Sequence, residues 1–369
     1  MIGSVVGVGI FGLPYAFAQS GWVLGAVILL GVGLLILTMQ LMFAEVVEQT
    51  PGLHRVTGYV RVYLGERWAK VALLALATGI WGALLAYIIV GGQFLRILLE
   101  PLLGGTDFVY SLLLGLLVSI LIVRDLKFIS RLDMVFVGIL LFLFVFIILS
   151  ALPQVEVKNI IDPDWSKFFI TYGVALFSLG SVSIIPEMKV VLGTRQKQKL
   201  GWAVLLAMST IILLYLFFSF AVVGVTGSGT TSSALAGLVP VLGDSFRIIG
   251  ALLGMVTIVS IYMILGMTLR NTFCFDFKMP KRSAWLLVCG VPLLLFAFGM
   301  REFISVVEFV GTVFGGIYGT IIILTYLRMR QSPVCRLHRC FSVPRAVSWL
   351  LIAVFLAGMV WEMVGIFSK

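Results

Sequence analysis

Gly7-Val8-Gly9-Ile10-Phe11-Gly12-Leu13-Pro14 lies inside the first apolar run of the chain, and Phe177-Ser178-Leu179-Gly180-Ser181-Val182-Ser183-Ile184-Ile185-Pro186 lies inside the sixth. Glycine is permissive and weakens a helix, and proline in a helix interior removes a hydrogen bond. Each stretch has glycine in mid-span and proline a few residues on: Gly9 to Pro14, and Gly180 to Pro186. Taken singly, either reads as a kink or a close packing contact, because Gly and Pro are common in membrane helices. Two of them at matching places read as a pair of broken helices.

The surrounding chain is built for lipid. Its 369 residues are 61% apolar and 11% charged, with a mean hydropathy of +1.16. An average soluble domain has about 45–50% apolar and about 25% charged residues, so soluble, disordered, collagenous and disulfide-scaffold classes are excluded. A membrane helix needs about 20 mostly apolar residues. Candidate spans fall near 2–19, 22–47, 69–98, 108–123, 133–152, 168–187, 202–224, 245–269, 284–299, 303–327 and 347–366, eleven in all. Alternating loops hold 20 and 6 of the 26 basic residues, with 7 and 9 acids beside them. The positive-inside rule then puts the N-terminus in the cytoplasm and the C-terminus outside a multi-pass protein of the cell inner or plasma membrane. The net charge of +10 is an orientation signal and not a sign of nucleic acid. Ala16-Phe17-Ala18 resembles a leader-peptidase site, but no basic residue precedes the apolar run and glycines interrupt it, so cleavage is not expected.

The sixth span opens a second group of five, and five is odd, so the second group enters the bilayer upside down. Interrupted spans at corresponding positions of two halves point to a secondary transporter. Unwound backbone in a bilayer must find partners, and a bound substrate supplies them. The N-terminal end of a half-helix offers N–H groups to a carboxylate, while carbonyls at the end of the other take an ammonium or a cation.

With Tyr15-Ala16-Phe17-Ala18-Gln19-Ser20-Gly21-Trp22 added to it, the stretch from Gly7 resembles the first helix of amino acid permeases of the amino acid/polyamine/organocation superfamily. The likeness is nearest to the amino acid/auxin branch and its sibling, the aromatic amino acid permeases. Thr50-Pro51-Gly52, Gly58-Tyr59 and Ile185-Pro186-Glu187-Met188 are similar too. The resemblance implies an all-α integral membrane protein of LeuT type, a 5+5 inverted repeat plus an eleventh helix. Its single transmembrane domain, 1–369, would comprise repeat one at 1–152, repeat two at 168–328 and an extra helix at 347–366. Gly7, Val8 and Gly9, with Ile10 beside them, would then face the substrate carboxylate. Phe177, Ser178, Gly180 and Ser181 would line the opposite side, with Phe177 as a lid. Only six residues precede Gly7, about 9 Å of helix against roughly 15 Å of half-bilayer, so either the start lies upstream or the inner gate is short.

Ionisable residues within spans are functional candidates. Glu308 in the tenth span could take a proton or meet a cationic substrate, or could snorkel or pair with Arg301. Glu45 and Glu187 suit pairing with loop Lys or Arg, and Glu362 an interfacial place. Thr257 and Ser260, three apart on the eighth span, together with the Val6 carbonyl, are candidates for holding a coupling cation; their hydroxyls could equally bond their own helix. The coupling ion is sodium or a proton, and no other cofactor is expected. Tyr87 and Tyr262 could shape the side-chain pocket or simply pack. Gly311, Gly315 and Gly319 form a packing stripe. Cys335, His338 and Cys340 offer three ligands in one basic loop, which reads better as loop than as metal site. Both histidines, His54 and His338, fall in loops, so an intramembrane Ser–His enzyme lacks its base, and no phosphate-loop motif appears. A channel is the alternative from another class. The expected function is secondary transport of neutral or aromatic amino acids by alternating access, with the lipid bilayer and a small-molecule substrate as partners.

Overall fold

A computed structural model describes residues 1–122, 126–160, 163–193, 199–332 and 342–367; Cys335, His338 and Cys340 lie outside them. The regular structure among the described residues is helical, with no strand. The first span is broken into α1 (Ile2–Val5) and α2 (Gly9–Ser20), and α3 (Trp22–Gln49) follows directly. Gly21 alone makes that turn, at φ 82°, a conformation glycine adopts without strain. After the short α4 (Val56–Leu64) come α5 (Glu66–Leu103), α6 (Asp107–Leu121) and α7 (Leu126–Ala151). The sixth span is again broken, into α8 (Phe168–Leu179) and α9 (Ile185–Leu192). The chain continues through α10 (Lys199–Thr226), the short α11 (Val239–Leu242), α12 (Asp244–Asp276) and α13 (Lys281–Ala297). The tenth span is α14 (Phe303–Phe309), a π-helical turn (Val310–Phe314) and α15 (Gly315–Gln331), and α16 (Arg345–Phe367) is last.

Each of the eleven expected spans is therefore helical, and eight helical segments are long and apolar enough to cross a membrane. The other three are the broken first span, α6 with 15 residues and α13 with 17. One continuous apolar core runs through the bundle. Large apolar side chains also cover its outside, among them Leu34, Leu74, Phe142, Leu206 and Leu286. Apolar residues both inside and outside suit a bundle solvated by lipid rather than water.

Three pairs of helices pack across the halves: α2 on α8, α3 on α10 and α5 on α12, while α6 and α13 both pack chiefly on α5. The three pairs are the first with the sixth, second with seventh and third with eighth spans. The two breaks consequently meet in the middle of the bundle. At one end of the bundle the loop after α3 is tied to the ends of α9 and α12. Arg55 pairs with Glu187, and Thr57 donates to Asp276. The Lys189 ammonium donates to the carbonyls of Val47 at 2.5 Å and Thr50 at 3.1 Å. Glu187 thus has the loop partner expected of it, whereas Glu45 accepts from the Gln49 side chain at 2.9 Å.

Candidate functional site

The unwound segments face each other at near-contact distance. A methyl group on Gly9 would stand 2.4 Å from Ser178 Oγ and 2.8 Å from Ser178 Cα, and one on Gly7 would stand 2.5 Å from Tyr87 Oη. Contacts under 3 Å cannot be kept, so only glycine lets α2 approach α8 and α5 this closely. The carbonyls that the breaks release have side-chain donors. Tyr215 Oη, on α10, lies 3.2 Å from the Val5 carbonyl and 3.1 Å from the Ser178 carbonyl, donating between the ends of α1 and α8. Gln40 on α3 donates to the Leu179 carbonyl at 3.3 Å. Thr171 on α8 donates to the Ala16 carbonyl of α2 at 3.0 Å, fixing the two half-helices to each other. At the other side of the breaks α2 begins at Gly9, and its first turn closes back on the unwound segment: the Ile10 amide donates to the Gly7 carbonyl at 3.3 Å and the Phe11 amide to the Val8 carbonyl at 3.0 Å.

A cavity of about 130 Å³ opens at these breaks. Gly7, Gly9, Tyr87, Phe177, Ser178, Gly180 and Ser181 all line it. Its described lining contains no Asp, Glu, Lys, Arg or His. Ser178 turns its hydroxyl back to the Val174 carbonyl at 2.7 Å. Ser181, 6% exposed, has no hydrogen-bond partner for its hydroxyl among the described residues. Tyr318 on α15 also lines the cavity with a buried hydroxyl lacking such a partner. Ser183 lines it as well, and the remaining walls are apolar, including Ile36, Ile80, Ile261 and Phe314.

From the breaks the cavity runs toward the tied end of the bundle, past Met39 of α3, Ala75 of α5 and Leu265 of α12. On the other side of the breaks four buried rings close the bundle. Phe11 meets Phe94 at 5.2 Å between centroids, Phe144 at 6.2 Å and Phe218 at 6.4 Å, and Phe144 meets Phe218 edge-on at 5.0 Å. Edge-to-face pairs of this kind hold rings in place by more than area burial alone.

Not every expected residue reaches the cavity. Val8 and Ile10 are fully buried but are not among its walls. Tyr262 is buried on the side of α12 that faces Ser119 and Cys289, while Ile261 and Leu265, four apart, form the lining face. Of the expected ion ligands, Val6 lies at the end of α1 and Thr257 donates to Leu253 of its own helix at 2.8 Å. Ser260 is 5% exposed. Glu308 and Glu362 instead line a second cavity of about 560 Å³ with Arg301, Glu302 and Trp81. The glycine stripe is used in two ways. A methyl on Gly319 would press on Phe355 and Met39, as packing requires, while Gly311 and Gly315 also line the first cavity.

A family model for the tryptophan/tyrosine permease family matches residues 1–364. The chain belongs to that family. No individually curated protein matches it. The family and the apolar helices make this permease a multi-pass membrane protein with a small-molecule substrate, and they point to an amino acid transporter. The neutral cavity at the paired breaks and the apolar exterior belong, in this permease, to one arrangement: irregular backbone at membrane depth enclosed by protein.

Proposed function

We propose that the permease is a secondary carrier of aromatic amino acids that works by alternating access, driven by a cation gradient. The observation that carries this reading is the meeting of two broken helices at one uncharged, partly polar cavity. A zwitterion fits such a site: its carboxylate toward the positive end of α2 at Gly9, its ammonium toward the negative end of α8, its ring among Ile80, Ile261 and Phe314. The pairwise packing of the first three spans on the sixth to eighth supports a LeuT-type inverted repeat with α16 outside it. The loop charges support a cytoplasmic N-terminus and tied end. On this orientation the cavity faces the cytoplasm and the phenylalanine cluster closes the outer side.

Gly9→Leu tests the site. The side chain would collide with the backbone of Ser178, so uptake of tryptophan and tyrosine is lost while the protein still reaches the membrane. Normal uptake by Gly9→Leu contradicts the assignment. A channel lined by the same backbone would conduct without the exchange behaviour of a carrier, and the paired breaks favour the carrier.

A further inference from the structure

The glycines that line the substrate cavity are of two kinds. Gly7, Gly9, Gly180 and Gly311 are needed where they stand. A methyl on Gly7, Gly9 or Gly311 would press into Tyr87, Ser178 or the Gly173 carbonyl, and one on Gly180 would stand 3.0 Å from the Leu176 carbonyl. Close approach of backbone explains these four. Gly79 and Gly315 have no such reason. A methyl on Gly79 would meet only Phe314 Cβ, at 3.7 Å, and one on Gly315 only the Val310 carbonyl oxygen, at 3.9 Å. Both are ordinary contact distances. Neither glycine has a positive φ, and both lie in helices, where glycine is less stable than alanine. The fold gains nothing from them in packing or in backbone conformation.

What they leave is space, and it lies between two walls. Ala75, Gly79 and Ala83 recur every four residues along α5 and all line the cavity, so this ridge carries nothing larger than a methyl group over about two turns. Tyr87 continues the ridge by one more turn and stands beside Gly7 at the breaks. The bare ridge therefore leads away from the place where the substrate's charged groups are held. Phe314 of the π turn faces Gly79, and Gly315 and Tyr318 follow it on α15.

Resting on the carrier reading above, we propose that Gly79 and Gly315 set the width of the side-chain pocket and select the bicyclic ring of tryptophan over single rings. A substrate held at the breaks by its carboxylate and ammonium lays its ring along the bare ridge, against Phe314. An indole fills the slot and buries more apolar surface there than a single ring, which leaves part of it empty. A side chain added at either glycine takes room from the largest ring first and from phenylalanine last.

Counterflow by purified permease in liposomes, measured in turn with labelled tryptophan, tyrosine and phenylalanine, separates the proposal from the carrier reading. Wild type is expected to favour tryptophan. Gly79→Val is expected to lower the ratio of tryptophan to phenylalanine kcat/KM by about tenfold or more, the scale on which an apolar pocket senses one methylene group. Gly79→Ala and Gly315→Ala, whose methyl groups the fold accommodates, are expected to move the ratio the same way by smaller factors, without lowering the melting temperature. A ratio unmoved in both alanine variants overturns the proposal. So does an equal loss of all three substrates in Gly79→Ala, which would make that glycine a hinge. A wild type that carries tyrosine and phenylalanine but not tryptophan overturns it as well and leaves the carrier reading standing. Absence of counterflow with all three overturns the carrier reading itself.

Discussion

Tyr318 presents a hydroxyl to an otherwise apolar stretch of cavity wall, with no partner of its own among the described residues. A site group built to pair with an N–H or O–H rejects an analogue that lacks it, because the pair is then left unmade. Tyr318→Phe is therefore expected to reduce the preference for tyrosine and tryptophan over phenylalanine by about tenfold or more, the factor set by leaving such a group unpaired. Competition of each amino acid against labelled tryptophan uptake measures it, and an unchanged ranking counts against this role. Residues of this kind were hard to read from the chain. Gly7 and Gly9 stand out because their pattern, glycine in mid-span with proline a few residues on, recurs at the matching place in the sixth span. Tyr318 follows a run of glycines that reads as packing, and nothing local says which face of α15 meets a cavity. Tyr262 fails for a related reason. It adjoins the lining residue Ile261, but one residue turns a helix by 100°, which points its ring to Ser119 and Cys289 instead.

At the scale of elements, the half-helix α9 is held at the tied end of the bundle. Arg55 pairs with Glu187, and Lys189 donates to the carbonyls that end α3, so α9 is fastened to the α3–α4 loop. Both charges of the pair are about a quarter exposed, which limits its worth to about 1 kcal/mol or less. That is still about fivefold in a conformational equilibrium. If α9 swings to open the cavity, Glu187→Gln speeds labelling of Ser183→Cys by a soluble thiol reagent by up to about that factor. The measurement uses a chain whose native cysteines are replaced, and an unchanged rate assigns the pair to packing alone. The broken helices were legible as elements, since Gly180 and Pro186 fall on either side of the unwound Ser181 and the 3-10 turn Val182–Ile184. The π turn was not, because its glycine-rich sequence also suits an ordinary close-packed helix. It lies against Gly173, a tertiary contact some 140 residues away that no local pattern announces.

Across the whole molecule, composition and loop charge gave the architecture in outline: eleven helical spans, of which eight are long and apolar enough to cross a membrane unaided. The breaks draw the two halves together, Tyr215 and Gln40 cap the carbonyls they release, and glycines allow the approach. The four-phenylalanine cluster seals one side of the cavity while its lining extends to the other. A carrier must exchange these two conditions, and it must do so with substrate bound. The direct test is counterflow in liposomes preloaded with unlabelled tryptophan and given a trace of labelled tryptophan outside, with no ion gradient. The account predicts that label inside rises transiently above its equilibrium level, and that Gly9→Leu abolishes this overshoot. A monotonic approach to equilibrium in the wild type would contradict it.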